Sequence, residues 1–174
     1  MRCKNLSIVI PSYNFIHHDR VITNLLLLKP LEIIVVDSSP IPPCLLDHEL
    51  VILVHLKQKA FPGKARNIGA KKARGEFILF VDTDIVFPDS TLQFIHHFVT
   101  DSTSNMIWGI YQRDTTNLVT KFQVDIQRYR FFNQFSNYSL AYGQSSHVLI
   151  KRKLYHHIGG MDPHLRMRED TEFC

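Results

Sequence analysis

Phe77-Ile78-Leu79-Phe80-Val81-Asp82-Thr83-Asp84 is a run of five apolar residues that ends on two carboxylates. Five apolar side chains in a row leave no polar face. The run therefore suits a strand covered on both sides, as in a parallel sheet with helices above and below. Such sheets bind ligands outside the carboxyl ends of their strands, and Asp82 and Asp84 stand at that end. Side chains at i and i+2 of an extended segment point the same way, so the reading brings both carboxylates together. Clustered carboxylates repel unless a cation or hydrogen-bond donors hold them. Hard divalent cations take such oxygen ligands, usually one or two carboxylates together with phosphates. Asp is also a common turn residue at strand ends, so the short D-x-D needs support from the rest of the chain.

The flanking sequence supplies that support. Residues 63–74 read as a helix, with Gly75 placed to close it. Residues 6–10 form a β-branched apolar run stopped by Pro11, and residues 32–36 form a second run leading into Asp37. Between them, residues 19–29 place Val21, Ile22, Leu25 and Leu28 at helical spacing before Pro30. Pro40, Pro42 and Pro43 mark a loop, and residues 51–56 a third strand. Beyond the acidic motif, Pro88 and Asp89 open a helix with Leu92, Ile95 and Phe98 on one face. Strand, helix, strand, loop, strand, helix, strand predicts an α/β fold with a mostly parallel sheet.

The second half is less regular. Residues 106–111 and 147–150 read as strands and residues 118–135, which mix aromatics with Lys121, Arg128 and Arg130, as a helix. A helical turn through Tyr155 ends at Gly159-Gly160. Without repeats or low-complexity tracts, one domain over residues 1–174 is predicted. Residues 169–174 read as the opening turn of a helix, so this domain is expected to lack its C-terminal portion.

Apolar residues are 45% of the chain and charged residues 21%, which excludes a disordered or fibrous class. No stretch approaches the ~20 apolar residues of a membrane span, and residues 6–10 are too short for a secretory core. The reading is a cytoplasmic protein. The formal charge of +4 comes without a block of five or six basic residues. That argues against nucleic acid and leaves phosphate-bearing ligands or an anionic membrane surface as partners. Three distant cysteines make no disulfide framework. The pairs His17-His18, His96-His97 and His156-His157 read as exposed, because adjacent helical residues point about 100° apart and share an ion poorly.

Five motifs in order carry a resemblance. Residues 8–14 (Ile-Val-Ile-Pro-Ser-Tyr-Asn) and 35–39 (Val-Val-Asp-Ser-Ser) look like the first two strand ends of family 2 glycosyltransferases. Lys64-Ala65-Arg66-Asn67-Ile68-Gly69 with residues 73–84 resembles their central helix, strand and D-x-D. Gly159-Gly160-Met161-Asp162 and Arg168-Glu169-Asp170 resemble their later glycine turn and acceptor-side acidic pair. The resemblance implies the GT-A fold, a Rossmann-like three-layer architecture. It also implies inverting transfer of a sugar from a nucleoside-diphosphate sugar to an acceptor hydroxyl.

By that resemblance Pro11 and Tyr13 lie against the nucleotide base and Asp37 accepts a hydrogen bond from it. Arg66, and less directly Lys64, reach base or phosphate oxygens. Asp82 meets the ribose or a metal-bound water, and Asp84 coordinates Mn²⁺ or Mg²⁺, making the pair the metal site. Asp170 is the general base and Glu169 orients it or the acceptor. UDP-sugars are the favoured donors, with GDP- and dTDP-sugars next; the acceptor is a glycan or lipid-linked. The implied setting is polysaccharide biosynthesis, with peripheral contact at the inner face of the plasma membrane. Trp108 and Tyr111 are candidates for stacking on sugars.

The sequence also departs from the family. Ser38 and Ser39 follow Asp37 where members usually continue Asp-Asp-Gly-Ser, and prolines replace the usual polar stretch. A sugar nucleotidyltransferase would carry a glycine-rich loop after its first strand, and residues 11–15 contain no glycine. A non-catalytic nucleotide-sugar or glycan-binding module remains the alternative.

Overall fold

The computed structural model describes residues 2–14, 18–101, 103–108, 147–166 and 173. Its strands are β1 (Cys3–Ser12), β2 (Pro30–Asp37), β3 (Val51–His55), β4 (Phe77–Val81), β5 (Met106–Trp108) and β6 (His147–Lys151). They form one sheet in the order β3-β2-β1-β4-β6-β5. The first four are mutually parallel, and β6 and β5 extend the sheet antiparallel to β4. The predicted mostly parallel α/β architecture is what the chain adopts.

Helices cover both faces. Period-two alternation along the strands splits their apolar side chains between two cores. Ile8, Ile10, Ile33, Val35, Leu79 and Val81 pack with Val21, Ile22 and Leu25 of α1 (His18–Leu26) and Leu92, Ile95 and Phe98 of α3 (Asp89–Asp101). Val9, Ile34, Val36, Ile78 and Phe80 pack on the opposite side with Ala65 and Ala70 of α2 (Pro62–Lys72) and Tyr155 of α4 (Arg152–His157). All five residues of β4 are buried, as their unbroken hydrophobicity requires.

α2 reaches the sheet through Gly69, where a Cβ would run into the side chain of Val9. Seating the helix this closely fixes where its polar residues emerge.

Several local expectations change. The first strand continues through Pro11 to Ser12, pairing Ser12 with Asp37 of β2. Pro11 lies two residues past the last pair with β4, Val9↔Phe80, where a missing N–H is tolerated. Helix α1 stops at Leu26, and 27–29 make tighter i→i−3 hydrogen bonds before Lys29 turns through φ +47°. Gly75 does not close α2, which ends at Lys72 with Ala73 extended behind it. Gly75 instead lets the chain pass close to β1: its N–H donates to Ser7 Oγ at 2.8 Å, and a Cβ would lie 2.6 Å from the Ser7 nitrogen. His18 is buried, not exposed, because its ring hydrogen-bonds inward to Ser12.

The helix expected at 118–135 lies outside the described residues, as does Tyr111; Trp108 closes β5.

Candidate active site

The chain steps from β1 outward to β2 and β3, then returns past β1 to β4. Strand order therefore reverses between β1 and β4, and a crevice at such a switch point is where open α/β sheets bind ligands. The carboxyl ends around it carry Ser12 and Tyr13 after β1, Asp37 at the end of β2, and Asp82 after β4.

Asp82 and Asp84 do not continue β4 as an extended pair. The Ile85 N–H donates to the Asp82 carbonyl at 3.2 Å, so 82–85 form a turn. The i, i+2 argument for parallel side chains does not apply here, although both carboxylates keep their place at the ligand-binding edge. They differ in environment. Asp82 is half-buried and its Oδ1 accepts from Arg66 Nη2 at 2.6 Å; Asp84 is exposed.

Arg66 is 2% exposed and projects from the middle of α2. Burying a guanidinium is tolerable when it is charge-paired and hydrogen-bonded, and Asp82 supplies that pairing from β4. Lys64, two residues earlier, is exposed and lies outside this contact.

Asp37 is fully buried, and its carboxylate is already engaged. Oδ2 accepts from the Ser39 N–H at 2.9 Å and pairs with His55 Nδ1 at 3.1 Å, while Oδ1 accepts from Ser39 Oγ at 2.7 Å. The register Asp37↔His55 between β2 and β3 creates the histidine contact. Ser39 Oγ in turn accepts the Asn14 N–H at 2.8 Å, tying the loop after β1 to the loop after β2. Asn14 bends there through φ +52°, a conformation Asn tolerates. Ser39, one of the two serines that departed from the family pattern, thus organises Asp37 itself.

Tyr13 is exposed at the mouth of the crevice, with Lys59 Nζ 4.1 Å from its ring centroid. This cation–π contact places a positive charge beside an aromatic face. Beneath it, Ser12 Oγ meets His18 Nε2 at 2.8 Å. Burial lowers the His18 pKa below its usual value, opposed by the negative charges of Asp37 and Asp19.

The structure therefore sets Pro11, Tyr13, Asp37, Asp82 and Asp84 at the carboxyl ends of β1, β2 and β4, with Arg66 of α2 joined to Asp82. Glu169 and Asp170 lie outside the described residues. Among the described residues no group of three His, Cys, Asp or Glu side chains could hold a metal ion. Reading the residues one at a time missed His55, Ser39 and Lys59. The alternation of β3 offered one signal, since it ends on a polar residue opposite Asp37 only when the parallel register is known.

Residues 7–159 match the family model described as glycosyl transferase family 2. The chain belongs to that family. This family 2 member is 31% identical, over 58% of its length, to the poly(ribitol-phosphate) beta-N-acetylglucosaminyltransferase TarS of Staphylococcus aureus. It spans only 20% of that relative's own length. Among solved structures it resembles the mannosyltransferase PcManGT from Pyrobaculum calidifontis in complex with GDP-Man and Mn²⁺. The TM-score is 0.68 at 16% identity, covering 98% of this chain and 51% of that one. It also resembles S. aureus TarS 1-349 in complex with UDP-GlcNAc, with a TM-score of 0.61 at 20% identity, covering 99% and 52% of the two chains. These likenesses identify the fold of this family 2 domain as GT-A.

Proposed function

We propose that the crevice binds a nucleoside-diphosphate sugar and that the chain transfers its sugar to an acceptor hydroxyl with inversion. The observation that carries the reading is the Arg66–Asp82 ion pair at the switch point, with Asp84 exposed in the same turn. Arg66 balances the charge of Asp82, so Asp84 is the carboxylate left open to solvent and cation. Two carboxylates at most fit a Mn²⁺ or Mg²⁺ site whose other ligands are diphosphate oxygens and water. When bound, that ion would offset charge on the departing nucleoside diphosphate.

The chain's own residues supply the rest. Pro11 and Tyr13 line the place of the base. Asp37 orients Ser39 and His55 beneath it, so its hydrogen-bonding influence on the base runs through those partners. Lys59, with Lys64 further along, adds positive potential for phosphates. Asp170 would take the proton from the acceptor hydroxyl as Glu169 orients it, a contribution of ~10²–10⁴-fold for a positioned base. One direct displacement needs no covalent enzyme intermediate and inverts the anomeric centre.

TarS is an N-acetylglucosaminyltransferase by name and its structure holds UDP-GlcNAc, whereas PcManGT holds GDP-Man. UDP-sugars are accordingly the first donors to test. A glycan or lipid-linked acceptor, cytoplasmic placement with peripheral contact at the membrane, and a role in polysaccharide synthesis belong to the same proposal.

Calorimetry of UDP and GDP with and without Mn²⁺, run beside donor hydrolysis, tests it. Metal-dependent binding with turnover is expected. Asp84→Ala should lose the binding, and Asp170→Ala should bind normally and fail to turn over. Binding by Asp84→Ala as tight as wild type would refute the cation assignment. Metal-dependent binding without turnover would favour the non-catalytic module.

A further inference from the structure

Asn67 follows Arg66 on α2, and its side chain leaves the helix in a different direction. Nδ2 donates to the Met161 carbonyl at 2.6 Å. Oδ1 accepts the Met161 N–H at 3.0 Å and the Tyr155 hydroxyl at 2.6 Å. One amide therefore engages both backbone groups of Met161, as a neighbouring strand would. Two donors converging on one oxygen also fix which end of the amide is which.

Tyr155 is the other half of the unit. It is 1% exposed, and burial pushes its hydroxyl pKa up to about 12, so it remains a donor. Its ring packs on Phe80 of β4 at 5.0 Å between centroids and on Phe173 at 5.3 Å. Gly160 approaches the same amide so closely that a Cβ would sit 2.6 Å from Asn67 Oδ1. Met161 and Phe173 are thus both held by the Asn67–Tyr155 unit, and the sequence between them contains Glu169 and Asp170.

We infer that Asn67 and Tyr155 are positioning residues that hold the glycine turn at 159–161, from which the chain leads on to Glu169 and Asp170, at one place on α2. α2 is the common bar: Arg66 grips the donor-side Asp82 and Asn67 grips Met161, from adjacent positions of one helix. The side-chain hydrogen bonds of both residues go to Met161 and to each other, so they act through that turn. Their effect is to keep that turn at one spacing from the Arg66–Asp82 pair; in the proposed reaction, where Glu169 and Asp170 act on the acceptor, transfer requires this and nucleotide binding alone does not. The inference rests on the proposed transfer reaction for its catalytic consequence, and on the contacts alone for its structural one.

Tyr155→Phe removes the hydroxyl and keeps both ring contacts, and Asn67→Ala removes the amide. Three measurements on the full chain separate the outcomes: UDP affinity with Mn²⁺ by calorimetry, UDP release from UDP-GlcNAc, and amide hydrogen exchange by peptide mass spectrometry. Both variants should exchange faster at 158–166 by roughly tenfold, the worth of one net hydrogen bond. Exchange across β1 and β4 should be unchanged, UDP affinity should stay within about twofold, and UDP release should slow by about tenfold or more. Wild-type exchange at 158–166 in both variants would overturn the inference, as would a loss of UDP affinity matching the loss of turnover. If wild type neither binds UDP nor releases it, the proposed function fails, and the exchange measurement alone still decides whether the unit anchors Met161. Rescue of turnover by Asn67→Gln but not Asn67→Ala would support positioning by the amide; equal loss in both would count against it.

Discussion

Arg66 Nη2 lies 2.6 Å from Asp82 Oδ1, with the guanidinium side chain 3% exposed and the carboxylate 34% exposed. The pair spans from the middle of α2 to the turn after β4 and fixes the charge of the crevice floor. Removing the cation leaves Asp82 half-buried without that partner. Arg66→Met should destabilise the fold by about 1–3 kcal/mol, below the cost of breaking a fully buried pair because Asp82 keeps access to water. It should also weaken nucleotide binding by roughly tenfold, whereas Arg66→Lys keeps the charge, loses the planar fork and falls between. Urea unfolding and calorimetry on the same samples check this. An Arg66→Met protein as stable and as tight-binding as wild type would show the pair to be incidental.

Gly159 and Gly160 have φ of +87° and +75°. Their surroundings differ, since a Cβ at Gly159 meets nothing within 4 Å and one at Gly160 meets Asn67 Oδ1. Gly159→Ala should cost only the left-handed backbone penalty of about 1–2 kcal/mol. Gly160→Ala should cost at least about 1 kcal/mol more, by displacing the Asn67 amide from Met161. Equal losses in thermal or urea unfolding would contradict the close approach.

Ser39 donates to Asp37 and accepts from the Asn14 N–H. Ser39→Ala leaves one buried carboxylate oxygen short of a donor and the Asn14 amide short of an acceptor. We expect a loss of about 1–3 kcal/mol and a weaker hold on nucleotide, since the loop bearing Tyr13 loses its tie to β2. Asn14 amide exchange, read by NMR, should accelerate; an unchanged rate would sink the idea that Ser39 anchors that loop.

His18 has a pKa depressed chiefly by burial. A histidine that binds its proton less readily when folded lets the unfolded chain take up protons first. Its contribution to stability is complete above the unfolded value of 6.5 and declines as pH falls below it. Stability should therefore drop from pH 7 to pH 5, with this group contributing at most about 1.4 kcal/mol per pH unit. The difference between wild type and His18→Gln over that range isolates it. A variant with the same pH slope as wild type would assign the loss to other groups.

Much of this molecule is legible in its residues. The unbroken run of β4, the helical spacing of Val21, Ile22 and Leu25, and the acidic strand ends together predict the parallel sheet and the edge on which the site lies. Those signals are local, carried by periodicity within a single element. What escaped is non-local. Asp37 has the same sequence neighbours whether it faces a base or is engaged by His55, and only the β2–β3 register decides. Gly75 looks like a helix stop beside Arg74, but its requirement comes from β1, nearly seventy residues earlier. The turn at 82–85 stood only as an alternative, because a strand end and a turn share the residue Asp. The aromatic stretch 118–135 and the acidic pair Glu169-Asp170 lie outside the described residues, so the first rests on its sequence pattern and the second on resemblance.

The central position of β1 has a consequence for how the site comes into being. Residues 3–55 can assemble β1, β2 and β3 from neighbouring segments, but the crevice has only one wall until Leu6 pairs with Phe77. Pairings so distant in sequence form slowly, because the loop entropy is paid before the contacts reward it. The crevice is thus completed late, after its β1–β2 side already exists. If the crevice binds a nucleotide as proposed, a ligand that needs both walls binds the finished fold and not its precursors, so ligand present during folding would act as a latch, adding RT ln(1 + [L]/Kd) to the stability of the closed sheet.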